Sequence, residues 1–541
     1  VWDWLETSGP LWLAWLVASP WLGMFATAWA GRTSRPSARR CALANAIVTA
    51  VLSTLLVGLM VSLQQSQPEV AIPRGFQVPW WTGSVAANTA PPWTVEVVLS
   101  VGIESVNQPL LLALPWLVVM AVILTPREAP ATFYVGLFVI EAAGLLHFAA
   151  QDALTCLLAA ELVIGANWLL TGWYGASERR SAAQRYLAAA VTGQRLWWFA
   201  ISALAMAAVW VQLEIRQEST SIVFGWSQFE VILPRFVSRY ISSFEYWAVT
   251  SSLILLAFGV GLFLRGPLVP FHTWLAYWIQ EVPPALAILH FGAFGMIAGA
   301  LYLHALAPIW AFNAVPFPWG LYGGAATAFL GGWLTLAQTD LRKLVTYAWL
   351  SGQGWAWMGL SLGTAPEVRA SWFNLLSSAW GYTSLLGVVL VLEGRYQTRE
   401  IDAFGGLSRK CPRLAVIGCF VAWWAVIGPW FPRSAEAWTW QAELLRLAPR
   451  CWSVGLLGQL LVAWATIWLV QRLFFGRLRE PLHDPRFFDQ GMPGQAPLAW
   501  HKTTVPQVLI ADLTAWEALA ILLPIALQLM VAGCLARSPW P

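Results

Sequence analysis

Charge is the scarcest commodity in this 541-residue chain: Asp, Glu, Lys and Arg together make up 11% of it, against 58% hydrophobic residues. Soluble domains carry about 25% charged residues, so an ordinary soluble enzyme is excluded. The formal net charge of +4 is small and dispersed, which gives no basis for nucleic-acid binding. Cysteine is equally sparse. Cys41, Cys156, Cys411, Cys419, Cys451 and Cys534 form no C-x-x-C pair and stand near no histidine at zinc-ligand spacing, which speaks against a metal or iron–sulfur site and against a disulfide framework. No Gly-rich phosphate loop and no Ser/His/Asp set is visible, so nothing supports an NTPase or hydrolase. The first residues have neither a basic stretch nor a small-residue cleavage site, and the first apolar run is expected to be retained.

What fills the chain instead is apolar sequence. Fourteen runs, each long enough for a bilayer helix of about 20 residues, lie between positions 11 and 535. Polar stretches near 64–107, 213–245 and 472–513 read as loops, too short and irregular for a soluble domain. With alternate loops assigned to one side, that side collects most of the 31 Lys and Arg, including Arg32, Arg35, Arg39, Arg40, Lys343 and Lys410. By the positive-inside rule this predicts fourteen crossings with both termini on the outer side. The 38 tryptophans, with pairs at Trp80–Trp81, Trp197–Trp198 and Trp423–Trp424, are expected mainly to anchor helix ends at the membrane surface.

Ionisable groups inside spans are costly and are therefore candidate functional residues. They are Glu141, Glu161, Arg195, Arg265, His290 and His304, with Glu436 just past the twelfth run and His304 expected at the membrane interface. Two runs are interrupted, by Gly266-Pro267-Leu-Val-Pro270 after Arg265 and by Gly428-Pro429-Trp-Phe-Pro432 before Glu436. Proline removes a backbone donor, and a break in a span is tolerated where protein or water satisfies the freed carbonyls.

Several of these segments resemble a known family. Leu264-Arg-Gly-Pro-Leu-Val-Pro-Phe-His-Thr-Trp-Leu275, continuing to Glu281-Val-Pro283, is similar to the K-x-P-x-x-P-F-H-T-W-L signature of the antiporter-like membrane chains of respiratory complex I, chain 4 or subunit M above all, and of Mrp antiporters. Gly102-Ile-Glu-Ser-Val-Asn, Ala160-Glu-Leu-Val-Ile-Gly, Ala337-Gln-Thr-Asp-Leu-Arg-Lys-Leu344 and Thr398-Arg-Glu-Ile-Asp-Ala-Phe-Gly-Gly-Leu407 resemble further family motifs in the same order.

The resemblance implies an all-α polytopic membrane protein of about 14 transmembrane helices, with two inverted five-helix repeats and broken helices 7 and 12. The organisation expected is N-terminal helices over 1–130, repeats over 131–310 and 311–475, and an amphipathic loop with helix 14 over 476–541. It implies proton translocation in the membrane arm of a NADH- or ferredoxin:quinone oxidoreductase of an energy-coupling membrane, beside other membrane-arm subunits. Quinone, flavin and iron–sulfur clusters would belong to partner subunits, with no cofactor in this chain. The implied path runs through Glu161, paired with Arg265 at the family's lysine position, then His290 and Glu436, with Glu141, His272, Asp340 and Lys343 as additional candidates. The chain also departs from the pattern: the family's central lysine of helix 8 falls on Met296, and a histidine expected near Ser378 is absent. Those departures leave open a diverged, non-pumping structural paralogue, or a proton-driven partner of a cation antiporter, a hydrogenase or a carbon-dioxide-hydrating complex.

Overall fold

The computed structural model describes residues 2–66, 77–85, 93–214, 220–222, 224–226, 245–307, 317–363, 365–430, 436–479 and 512–535. Each of the fourteen apolar runs coincides with a helix. The first six are α1 (Trp2–Gly31), α2 (Arg35–Ser66), α3 (Gln108–Leu124), α4 (Ala131–Ala149), α5 (Ala153–Tyr174) and α6 (Arg179–Glu214). The seventh run is split into α7 (Glu245–Arg265) and α8 (Thr273–Glu281), as the Gly-Pro segment predicts. The eighth is also split, into α9 (Pro284–Gly292) and α10 (Ile297–Ala305) around a 3-10 turn over Phe294–Met296, a break the sequence reading does not anticipate. The ninth to eleventh runs are α11 (Pro318–Leu336), α12 (Leu341–Leu360) and α13 (Ala365–Tyr396).

The twelfth, α14 (Pro412–Ile427), ends in a 3-10 turn over Gly428–Trp430. An amphipathic helix follows, α15 (Glu436–Leu447), and then α16 (Pro449–Phe474) and α17 (Ala515–Leu535). Among the described residues, nine helices are long and apolar enough to cross a membrane, and Gln108–Leu124 and Ser252–Arg265 are shorter apolar helices.

The polar stretches are not loop throughout. Strands β1 (Gln77–Val85) and β2 (Trp93–Ser100) pair antiparallel, and β3 (Thr220–Ile222) adds parallel to β2, because these segments are rich in Val, Trp and Thr. The sheet closes one end of an otherwise helical bundle, here called the sheet end.

Packing places two spans at the centre: the stretches Pro284–Ala305 and Pro366–Tyr396 are fully enclosed by other helices, whereas α5, α14, α16 and α17 keep lipid-accessible faces. Around these, α11 lies so close to α12 and α16 that a Cβ on Gly332 would collide with the Gly458 backbone. Among the described residues nine tryptophans, including Trp278, Trp349, Trp357, Trp372 and Trp380, are fully buried, so these build the core rather than the membrane interface. Small neighbours explain this: Gly295 lies against Trp349 and Gly299 against Trp372, leaving room for indole rings between helices.

Candidate functional site

The break in the seventh span sets up the site. Leu262 and Phe263 carbonyls accept from Gly266 and Leu268, so α7 ends on a tight turn that leaves Arg265 pointing into the bundle. Trp274 of α8 folds back to donate to the Leu264 carbonyl at 3.2 Å. Arg265 is 9% exposed, it interacts electrostatically with the Tyr186 hydroxyl, and its guanidinium lies 5.8 Å from the Trp197 ring.

Glu161 of α5 is not ion-paired to Arg265, as the sequence reading expects. Its Oε1 accepts from Arg195 Nη1 of α6 at 2.9 Å and from Trp198 Nε1 at 3.1 Å. Arg195 stands about one helical turn from Trp198 on the same face, so α6 reaches the carboxylate first. Arg265 still acts on Glu161 electrostatically, as it does on His290 and His147. The two arginines therefore flank one carboxylate, one in contact and one behind it.

His290 of α9 is buried in an aromatic box. Trp278, Trp274 and Trp349 have ring centroids 5.1, 5.7 and 6.0 Å away, and the three indole N–H groups donate elsewhere, to Thr171, Leu264 and Phe291. Its Nε2 has no hydrogen-bond partner among the described residues. Met296, one 3-10 turn further on, is fully buried in the apolar core. The break beside it frees the carbonyls of Phe291 and Gly292, and Trp349 and Trp380 satisfy them at 3.2 and 2.9 Å. Tryptophan indoles thus occupy the region where the family resemblance places a lysine.

Of the remaining sequence candidates, Glu141 is fully buried in α4, and neither carboxylate oxygen has a hydrogen-bond partner among the described residues. His272 starts α8 within the break, its ring 6.4 Å from Tyr347. Asp340 and Lys343 are helix-cap partners: the Asp340 carboxylate accepts from the Lys343 backbone N–H at 2.9 Å, which starts α12. Glu436 is the first residue of α15, past the twelfth span, and its side chain lies outside the described residues.

Two clusters are not read from the sequence. At the end away from the sheet, Arg342 and Arg399 bracket Glu393 at 2.6 and 3.3 Å. The same arginines cap the end of α8: Arg342 donates to the Ile279 and Val282 carbonyls, Arg399 to that of Gln280, and Ala176 N–H to that of Glu281. All the last carbonyls of this half-helix are thereby satisfied, and two cations sit at the negative end of its dipole.

At the sheet end, His304 is buried rather than interfacial. It stacks on Trp226 at 5.2 Å, with Asn107 Nδ2 at 3.1 Å from Nε2 and Glu104 Oε2 at 3.2 Å from Nδ1. His147 lies nearby, its Nδ1 donating to the Cys156 carbonyl at 2.8 Å. Only the spacing of His147 and Cys156 across the short α4–α5 turn hints at this cluster in the sequence.

In the second half of the bundle, α11 to α14 and α16 carry no Asp, Glu, His, Lys or Arg in their central turns. Ser351, Gln353, Ser377, Ser378 and Gln459 are there instead. Gln459 donates to Ser351, while the Gln353 amide nitrogen and the Ser377 and Ser378 hydroxyls have no hydrogen-bond partner among the described residues. Among the described residues no group of His, Cys, Asp and Glu is arranged to hold a metal ion.

Residues 150–432, more than half of the chain, match the family described as NADH:quinone oxidoreductase/Mrp antiporter, transmembrane. The chain is 24% identical over 350 residues to NADH-quinone oxidoreductase subunit M of Rhodobacter capsulatus, an alignment covering 64% of this chain and 65% of that one, just under two thirds of its length. Among solved structures, respiratory complex I from Thermus thermophilus superposes with a TM-score of 0.65 at 18% identity, over 97% of this chain and all of the matched chain. The Mrp complex from Dietzia sp. gives 0.67 at 15% identity, over 99% and 97%. These likenesses establish the polytopic antiporter-like fold.

Proposed function

Because the chain belongs to the NADH:quinone oxidoreductase/Mrp antiporter transmembrane family, we propose that it is a proton-translocating subunit in the membrane arm of a complex I-type quinone oxidoreductase. It is an integral, multi-pass membrane protein. In this reading residues 131–310 and 311–475 are two inverted repeats, the sheet end faces the positive outer side with both termini, and redox cofactors reside in other subunits. The observation that carries the reading is the charge cluster beside the broken seventh helix, part-buried Glu161 with exposed Arg195 and buried Arg265, inside the matched segment.

The chemistry follows from that cluster. Guanidinium groups hold charge but hardly release protons, so Arg195 and Arg265 serve to fix the carboxylate and Glu161 is the group that changes protonation. A small shift between contact with Arg195 and exposure to Arg265 alone would alter how tightly the carboxylate holds a proton, which is what a two-state carrier requires.

Arg195 also supports assembly into a larger complex. Its side chain is 63% exposed on the flank of a membrane span. A guanidinium facing lipid there is costly, by about 2.5–3.5 kcal/mol on insertion scales, so this face suits a neighbouring subunit.

The test is proton pumping by the purified complex in proteoliposomes. Glu161→Gln is expected to reduce flux at least about tenfold while the complex stays assembled. Unchanged pumping in an intact complex would overturn the proposal and favour the second reading, a structural, non-pumping subunit, which the tryptophan-filled break beside Met296 supports.

A further inference from the structure

At the end away from the sheet, α14 and α17 start side by side and leave a groove of about 430 Å³ between them. Two ties bound it. Asp512, just before α17, accepts from the Arg413 and Leu414 N–H groups at 2.9 and 3.1 Å, and deeper in the bundle Trp424 Nε1–H of α14 donates to Gln528 Oε1 of α17 at 2.8 Å. Arg413 and Trp424 are about 16 Å apart along the helix, close to half of a hydrocarbon core of about 30 Å, so the groove belongs to one leaflet. α17 turns its buried residues Ala520 and Ile521 toward α3 and α13. The residues it presents to the groove include Ala515 and Ala518, which are too small to close the gap.

The walls are apolar and the mouth is not. Val416 and Ile417 of α14 face Leu513, Ala515 and Ala518, and Val416 is 71% exposed. Phe420 and Trp423 continue its face of α14 and are exposed too, so the groove opens sideways onto lipid. Arg413 and Thr514 stand at the mouth. The backbone donors there are taken: Asp512 holds those of α14, and at the start of α17 Glu517 N–H donates to Thr514 Oγ1, whose hydroxyl donates back to the Glu517 carboxylate at 2.8 Å. Arg395 pairs with Glu517 at 2.8 Å. Arg413 is exposed, and its guanidinium forms no hydrogen bond among the described residues. With Arg409 and Lys410 immediately before α14, the cations here outnumber Asp512 and Glu517.

We propose that this groove binds an anionic phospholipid of the adjoining leaflet, with one acyl chain between Val416 and Ala518 and the phosphate held by Arg413. A basic mouth over an apolar slot between spans suits such a lipid at both ends. The chain covers apolar surface that α14 and α17 leave open, and the phosphate oxygens accept from a guanidinium that has no other partner. A zwitterionic lipid has the same chains but carries its own ammonium group, which offsets the phosphate. Inorganic phosphate has the charge without the chains. The lipid sits there whether or not this chain moves protons.

The experiment photolabels the intact complex in proteoliposomes with a phosphatidylglycerol carrying a diazirine in one acyl chain, and maps the labelled peptides by mass spectrometry. Labelling is expected within residues 412–420 and 513–520, suppressed by excess unlabelled phosphatidylglycerol but not by phosphatidylcholine or inorganic phosphate. Arg413→Ala is expected to lower it about fivefold and Arg413→Lys to keep most of it. Ala518→Phe, which fills the slot and leaves the cation in place, is expected to abolish it. Unchanged labelling in Arg413→Ala overturns the proposal. So does suppression by phosphatidylcholine as strong as by phosphatidylglycerol, which marks ordinary surrounding lipid, or suppression by inorganic phosphate, which removes the role of the chain. Absence of label from both segments means that protein covers the groove, and it overturns the proposal as well. Should the variants not assemble, the competition in the wild-type complex decides.

Discussion

Met296 shows how far a single replacement reaches. A lysine at the middle of a span needs a counter-charge or water, yet this position is fully buried in apolar core and the carbonyls beside it are taken by Trp349 and Trp380. Restoring the family residue with Met296→Lys is therefore expected not to raise proton flux but to destabilise the chain, by about 2.5–3.5 kcal/mol on insertion scales. The yield of assembled complex and its thermal unfolding in detergent measure this; a stable variant with higher flux would contradict it. The residue types of the site were legible in the sequence, because charge within an apolar run is conspicuous. Their partners were not. Glu161 takes Arg195 rather than Arg265 because contact depends on which faces of α5 and α6 meet, and His304 is buried because a distant segment, Trp226, folds over it.

At the scale of elements, half-helices are held by charges from other parts of the chain. The end of α8 is capped by Arg342 of α12 and by Arg399, with Glu393 of α13 neutralising both. Glu393→Gln leaves two nearly buried guanidinium groups without their carboxylate, a loss that typically costs about 3–5 kcal/mol, and it should lower the unfolding temperature far more than Glu443→Gln, whose partner Arg446 is exposed. Differential scanning of the two variants in the same detergent compares them directly.

A second charge acts across the chain at the start of α14. Asp512 accepts from the Arg413 and Leu414 backbone N–H groups at 2.9 and 3.1 Å, capping α14 from the segment that leads into α17. Burial pushes this carboxyl up, but those bonds, a third from Leu513 and the Arg413 charge outweigh it and hold it below the ordinary aspartate range. A depressed folded value means the stabilisation is complete above the unfolded pKa of about 3.9 and is lost as pH falls through the lower folded value. Asp512→Asn is accordingly expected to cost about 0.3–1 kcal/mol at neutral pH, the usual worth of a negative charge at a helix N-terminus, with the difference from wild type shrinking in acid below that range. Unfolding temperatures across pH would show it. The helices themselves were readable from length and hydropathy, and the seventh break from its prolines. The eighth break was not, since no proline marks it and its stability comes from indoles on other helices.

Across the whole molecule the two halves differ in chemistry. The first concentrates Glu161, Arg265, His290, His147 and His304. In the second, the central turns offer hydroxyls and amides, and the Arg342–Glu393–Arg399 group lies at one end, engaged in holding α8. Similarity at 18% identity to a complex I chain preserves the helical frame because apolar packing tolerates substitution, whereas a proton relay depends on individual side chains. If protons leave through the first half, the second is needed for packing and for anchoring α8 but not for transfer. Gln353→Leu and Ser378→Ala, which remove polar atoms that have no partner among the described residues, should then leave flux within about twofold of wild type, well short of the effect of losing a proton-transfer group. They should not lower the unfolding temperature either, since replacing an unpaired buried polar group by an apolar one removes a desolvation penalty. A large loss of flux in either variant, with normal assembly, would instead place the transfer route through the hydroxyls and amides of the second half.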